Sequence, residues 1–176
     1  MKQIAMMVDL ERCIGCRSCE ISCKIENGAT KRRNKVVRIE PQDGSRLTTM
    51  SMPCMHCEKP ACRQACPTGA ITKREEDGVV LIDQSKCIGC RFCSWACPYG
   101  AMGFDEERMV ADKCTYCAHR LDRGETPACV SKCPGHALSF GNAEELRKQA
   151  KSQGRDLVNI DAGTNPSTFY LARLKT

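Results

Sequence analysis

Cysteine is the residue through which this chain can do chemistry, and it comes in four groups. The first is Cys13, Cys16, Cys19 and Cys23; the third, Cys87, Cys90, Cys93 and Cys97, repeats its spacing and adds Pro98. The second, Cys54, Cys57, Cys62 and Cys66 before Pro67, and the fourth, Cys114, Cys117, Cys129 and Cys133 before Pro134, are stretched in the middle. All sixteen cysteines of the chain fall in these groups. In the short spacing, three thiolates from one tight loop wrap a face of an iron–sulfur cube while the fourth serves another cube. Proline holds the residue before it in extended backbone, which turns the fourth cysteine away from its own loop. Gly15 and Gly89 let backbone N–H groups approach sulfur, where hydrogen bonds raise the reduction potential. Such a set is spaced for four [4Fe–4S] clusters, a chemistry of electron transfer.

Two other readings of the cysteines compete. Zinc sites pair two separate C-x-x-C knuckles and have no use for a third cysteine at the same short interval. A zinc-stabilised interaction module therefore stands as the alternative that one visible spectrum separates. A disulfide scaffold is opposed by the closely spaced pairs and by residues 1–9, which read without a secretory signal. Reduced thiols, and with them a cytoplasmic location, are the expectation. Export with a signal-bearing partner, or a peripheral place on a membrane complex, is the alternative, since no apolar run reaches the roughly 18–20 residues of a membrane span.

The remaining candidates carry less. His56, inside the second group, His119 and His136 read as packing or hydrogen-bonding neighbours of thiolates rather than ligands. Trp95 and Tyr99 read as rings that shield a cluster from water. No catalytic residue is expected, because no nucleophile–base pair, phosphate loop or dinucleotide fingerprint is found. The formal charge of +6 falls to roughly −2 once four clusters add about −8, which removes the case for nucleic acid. Lys31, Arg32, Arg33 and Lys35 read as a solvated loop.

The elements that must position the thiols are short. Of 176 residues only eight are aromatic, so the conventional core is thin and metal centres must staple the chain. After three of the groups the chain repeats itself as Pro67-Thr68-Gly69-Ala70, Pro98-Tyr99-Gly100-Ala101 and Pro134-Gly135-His136-Ala137. Residues 69–72 and 79–83 read as two strands around the charged turn 73–78. Residues 35–40 form another strand, and Pro41-Gln42-Asp43-Gly44-Ser45 a turn. Asn142 caps a helix over 143–152, with Glu144 and Glu145 in its first turn and Lys148 and Lys151 near its end, and Gly154 stops it. Phe169-Tyr170-Leu171 either packs on its own domain or docks on a partner.

Specific stretches resemble a known family. The run from Pro53 to Ala70, the run from Lys86 to Ala101, and Lys113, Cys114, Cys117, Arg120, Gly124, Pro127, Ala128, Cys129, Cys133 and Pro134 resemble the iron–sulfur subunits of the dimethyl sulfoxide reductase family of molybdopterin enzymes. The likeness covers about residues 1–141, and Asn165-Pro166-Ser167 is similar to the end of several such subunits. The resemblance implies an α+β fold of two ferredoxin-like modules with two clusters each. It also implies a large molybdenum- or tungsten-pterin catalytic subunit as partner, with a membrane or flavin-containing redox subunit as a further one. The chain departs from the pattern in ending its first group Cys23-Lys24, without proline. It also lacks the long insertions of larger relatives. A free polyferredoxin, shuttling between soluble enzymes, is the alternative to a dedicated subunit.

Because fourth cysteines exchange between clusters, the groups must pair. Groups two and three are separated by only the twenty residues 67–86, enough for one hairpin, which leaves groups one and four to pair, as the resemblance also implies. The expected sites are Cys13, Cys16, Cys19 with Cys133; Cys23 with Cys114, Cys117, Cys129; Cys54, Cys57, Cys62 with Cys97; and Cys66 with Cys87, Cys90, Cys93. Consecutive pairing of one with two and three with four is the alternative. The corresponding division of the chain is 1–53 with 103–141 as one module, 54–102 as the other, and 142–176 as a C-terminal helix and docking tail. Chemical analysis of anaerobically prepared protein is expected to find about sixteen iron and sixteen acid-labile sulfide per chain; full occupancy by zinc would contradict this.

Overall fold

A computed structural model describes residues 3–40 and 47–172; the turn expected at 41–45 lies outside the described residues. The order of elements is β1 (Ile4–Asp9), α1 (Ser18–Asn27), β2 (Lys35–Ile39), β3 (Thr48–Met52), α2 (Ala61–Gln64), β4 (Ile71–Lys73), β5 (Val80–Ile82) and α3 (Phe92–Ala96). There follow β6 (Met102–Asp105), β7 (Val110–Lys113), α4 (Ala118–Leu121), α5 (Ala128–Ser131), β8 (Leu138–Asn142), α6 (Ala143–Ser152), β9 (Leu157–Val158) and β10 (Thr168–Leu171). The class is α+β, as expected.

One strand follows each cysteine group, and its antiparallel partner leads into the next. Thus β2 pairs β3 between groups one and two, β4 pairs β5 between two and three, and β6 pairs β7 between three and four. The cycle closes on itself: β8, after group four, pairs antiparallel with β1, before group one, with Val8 opposite Leu138. Backbone hydrogen bonding therefore brings groups one and four side by side although 90 residues separate Cys23 from Cys114 in sequence. Packing of the helices agrees, since α1 lies against α5, α2 lies against α3, and Ser18 Oγ donates to the Lys132 carbonyl at 2.7 Å.

The largest sheet has the order β8-β1-β10-β9, with β1 and β10 parallel. Its strands alternate faces, as a pleat requires. Met6, Val8, Leu138 and Tyr170 join the core that holds Cys19, Cys54, Cys114 and Cys129. Ala5, Met7, Phe169 and Leu171 face the other way, under Leu146 and Ala150 of α6. Those two lie one helical turn apart and so share one stripe. The sheet is thus a partition with cysteine loops on one side and a single helix on the other.

Several sequence expectations meet the structure here. The strands at 69–72 and 79–83 are present as β4 and β5, and the strand at 35–40 as β2. Asn142 caps α6, its Oδ1 accepting from the backbone N–H of Glu144 at 2.9 Å and Glu145 at 3.2 Å; Gly154, at φ 63°, follows the helix end. The apolar triplet is resolved in favour of self-packing: Phe169, Tyr170 and Leu171 are buried, hydrogen-bonded between β1 and β9. No docking segment is left over Thr168–Leu171, because β1 needs a second neighbour. The charged loop needs one correction. Lys31, Arg32 and Lys35 are exposed, but Arg33 reaches in to pair with Asp112 of β7 at 2.7 Å and to donate to Asn27 at 3.1 Å.

The end of β1 is anchored by Asp9, whose carboxylate accepts both Nη1 and Nη2 of Arg155 at 2.7 Å. Burial pushes this carboxyl up, yet the Arg155 bonds and the N–H groups of Glu11 and Arg12 outweigh it and hold it below the ordinary carboxylate range. Arg155 also donates to the Ala172 carbonyl at 2.8 Å, so it fastens β1 to the segment after β10. Arg155→Ala is expected to cost on the order of 2 kcal/mol, less than a wholly buried pair because Asp9 keeps some exposure. With the Asp9 pKa depressed, that difference from wild type holds across neutral pH and closes only below about 4. Anaerobic thermal unfolding at several pH values measures it; equal stability at pH 7 would contradict the assignment.

Candidate metal centre

The third and fourth cysteine of every group are four residues apart, the repeat that puts two side chains on one helical face. Cys19 and Cys23 lie on α1; Cys62 lies on α2 and Cys66 follows it; Cys93 lies on α3 and Cys97 caps it; Cys129 lies on α5 and Cys133 follows it. Where proline comes next the helix stops, and Cys97 is already extended at φ −82°, ψ 110°. Group one has no proline, so α1 continues for ten residues, ending at Gly28 in the left-handed region. The departure at Lys24 therefore lengthens a helix and leaves Cys23 facing inward, where it is buried.

The structure gathers the thiols into sets drawn from two groups each. Cys13, Cys16, Cys19 and Cys133 line one cavity, here called site I. Cys54, Cys57, Cys62 and Cys97 line a second, site III; Cys66, Cys87, Cys90 and Cys93 line a third, site IV. The remaining Cys23, Cys114, Cys117 and Cys129 stand near one another and are here called site II. Asn27 Nδ2 stands 3.8 Å from both Cys23 Sγ and Cys117 Sγ, and Cys129 is pushed well up by burial and then by Cys114, Cys117 and Cys23. A broad groove lined by residues of α6, β9 and β10 touches none of the sixteen.

The donor set fits a cube. Each of the four sites receives a backbone N–H on sulfur: His56 to Cys54 at 3.5 Å, Tyr116 to Cys114 at 3.4 Å, Ala111 to Cys87 at 3.4 Å and Ala137 to Cys133 at 3.3 Å. Such bonds favour the charged, reduced cluster. Zinc would draw its sulfurs to within about 2.3 Å of one point. Among the described residues no three Cys, His, Asp or Glu side chains converge in that way; the thiols stand apart around cavities, as four corner irons require. Burial, with neighbouring thiols adding to it, raises Cys23 to about 11 and Cys62 and Cys114 to about 12. The bare chain thus holds protons on these sulfurs at neutral pH, and iron must displace them.

One backbone feature recurs at the residue before the second cysteine of each group. Gly15 and Gly89 have φ 70°, His56 has φ 41° and Tyr116 φ 51°. The left-handed turn lets the loop wrap, and glycine takes it without strain. A Cβ on Gly89 would stand 2.5 Å from the Met109 carbonyl oxygen, whereas on Gly15 it would meet the Thr49 methyl at 3.0 Å. In groups two and four the strain is borne by rings that stack on each other, His56 on Tyr116, with centroids 3.7 Å apart. His56 Nδ1 accepts the Val80 N–H at 3.0 Å, which places the ring proton on Nε2. Burial, and then the Lys113 ammonium, push this imidazole well below its usual range, so it is neutral.

The other aromatic and histidine expectations divide. Tyr99 lines site III and its hydroxyl meets Thr164 Oγ1 at 2.7 Å. His119 is a surface residue bonded to Glu26 at 2.9 Å. His136 is exposed, and at φ 47° it serves the turn after Pro134 through its backbone. Trp95 is corrected: it is 87% exposed and shields no cluster, because it sits on the outward face of α3 where α1 carries Ile21. Tyr116 escaped the sequence reading, and Lys113 entered it through the family likeness with no role of its own; both are buried. Aligning the four C-x-x-C turns, whose third residues are Gly, His, Gly and Tyr, would have exposed the first.

Comparison with known proteins bears on this geometry. A family model described as a 4Fe-4S dicluster domain matches residues 45–143. The chain is similar to a tetrathionate reductase subunit of Salmonella typhimurium, 40% identical over 95% of this chain and 71% of the relative. It is similar to a sulfite dehydrogenase subunit of Allochromatium vinosum, 37% identical over 100% and 85%. A subunit of the anaerobic dimethyl sulfoxide reductase of Escherichia coli is 40% identical over 84% and 77%. With thiols grouped for cubes and matches of this extent, the chain belongs to the 4Fe-4S dicluster family and to the iron–sulfur electron-transfer subunits of the dimethyl sulfoxide reductase family, and its cofactors are [4Fe–4S] clusters.

Proposed function

We propose that the sixteen cysteines hold four clusters as sites I to IV, and that these form a line through two ferredoxin-like modules. The observation that carries the reading is that three separate cavities are each lined by four cysteines, three from one group and the fourth from its exchange partner. Sites I and II share α1 and α5; sites III and IV share α2 and α3. Residues 1–53 with 103–141 then make one module and residues 54–102 the other; of the C-terminal unit 142–176, α6 lies over β1 and β8 of the first, while the carbonyls of Thr164 and Asn165 accept from the Lys59 and Glu58 N–H groups of the second. Sites II and III meet at the His56–Tyr116 stack, in the middle of the line.

Both ends of the line reach the surface. At site I, Cys16 is exposed beside Ile14, Ile21 and Ile25; at site IV, Cys90 is exposed beside Ile88. Exposed apolar side chains over a ligand sulfur suit a relay with one partner at each end. Those partners are a molybdenum- or tungsten-pterin catalytic subunit and a second carrier, a membrane or flavin-containing subunit. When loaded, the clusters supply one-electron transfer; the chain's own residues bind them, donate hydrogen bonds to sulfur and exclude water from the inner pair. Among the described residues no helix is long and apolar enough to cross a membrane. Cytoplasmic residence suits sixteen reduced thiols.

Native anaerobic purification is expected to bring the chain down with a large pterin-containing subunit, whose oxidised substrate restores the visible band of the dithionite-treated complex. A chain that runs alone and exchanges electrons with several soluble enzymes would make it a free polyferredoxin. The site assignment has its own test. Alanine is strained in the left-handed turn at both positions, but Gly89→Ala also meets backbone and is expected to lose about a quarter of the iron, one site of four, whereas Gly15→Ala meets only the Thr49 side chain and retains more. Iron analysis of the two variants decides it, and equal retention would contradict the assignment.

A further inference from the structure

Lys113 is only 2% exposed, although its side chain carries a charge. It ends β7, next to Cys114, and its ammonium donates to the Cys114 carbonyl at 2.9 Å and to the Val80 carbonyl. The first belongs to site II. The second belongs to the wall of site III, which Val80 lines, and Val80 also donates its N–H to His56. One side chain thus ties the two inner sites together across the boundary between the proposed modules.

Both acceptors are uncharged. Among the described residues no carboxylate lies within ion-pair distance of Lys113, and its neighbour Asp112 is engaged by Arg33 at 2.7 Å. A lone ammonium in such an interior is strongly disfavoured unless anions stand near. The anions that the two sites supply are the clusters, each about −2 with its four thiolates. An added electron makes a cluster more negative, so a fixed cation beside it stabilises the reduced form and raises its potential.

We infer that Lys113 is a positioning residue for electron transfer: the buried counter-charge shared by the clusters of sites II and III, which raises the potentials of both and leaves those of sites I and IV unmoved. The inference rests on the four-site reading above. It requires the cation, not the hydrogen bonds alone.

The test is a redox titration followed by electron paramagnetic resonance on the purified complex carrying Lys113→Arg, Lys113→Gln or Lys113→Met. Glutamine keeps a donor without the charge, and methionine keeps the shape without either. The expected result is that both neutral variants shift two of the four clusters to lower potential, while arginine stays near wild type. Unchanged potentials in a fully loaded neutral variant would overturn the inference, as would a shift in all four, a shift in one alone, or an arginine variant as displaced as glutamine. If the neutral variants lose iron, loss confined to about half of it, with arginine fully loaded, supports the shared counter-charge, and uniform loss overturns it. Failure of the four-site reading shows separately, as wild-type iron far from sixteen per chain.

Discussion

The chain depends on sulfur–iron bonding for its interior. Near the loops, cysteines share the interior with a few apolar side chains and two tyrosines: Met6, Val8, Met55, Val79, Leu138, Tyr116 and Tyr170 meet Cys19, Cys54, Cys114 and Cys129 in one cluster. The thiols of that region stand around cavities, and apolar contact is poor where cavities intervene. Binding energy of the clusters is therefore folding energy. An interior that stands apart from the thiols lies between the sheet and α6, where Met7, Phe169, Leu171, Leu146 and Ala150 close on each other.

Cluster geometry then dictates the rest. A cube needs three thiolates from a tight loop, so each group has a left-handed residue before its second cysteine; it needs a fourth from elsewhere, so each group carries a helical turn that presents two sulfurs on one face. In the proposed arrangement those turns lie between neighbouring sites, Cys19 and Cys23 looking to sites I and II, Cys62 and Cys66 to sites III and IV. The hairpins set the cyclic order of the groups, and β10 locks the cycle by pairing parallel to β1. Rings replace glycine only at the two turns that face each other, where His56 and Tyr116 stack. Strain at φ 41° and 51° is borne where the two halves of the chain join.

What could be read beforehand was local. The β4–β5 hairpin announced itself through a charged turn between apolar runs, α6 through Asn142 and two glutamates, and the four cysteine groups through their spacing. What escaped was remote. Residues 4–9 are a short apolar run whose strand character depends on partners at 138–142 and 168–171, and nothing nearby signals either. Phe169-Tyr170-Leu171 was ambiguous for the same reason, since an interior parallel strand and an exposed apolar tail look alike in sequence. Lys113 looks like any surface lysine until the Val80 carbonyl is brought to it from 33 positions away. Trp95 was misjudged because aromatic size suggests burial, while the helix face it occupies points outward.

In the arrangement proposed here, groups one and four, and groups two and three, exchange their fourth cysteines in a single line of four cubes. Anomalous diffraction at the iron edge from crystals of the loaded chain tests it most directly, because the iron signal locates each cube independently of the polypeptide. Four iron centres in a row are expected, with Cys133 on the cube of Cys13, Cys16 and Cys19, and Cys97 on that of Cys54, Cys57 and Cys62. Cys133 bound instead to the cube of Cys87, Cys90 and Cys93 would contradict the arrangement.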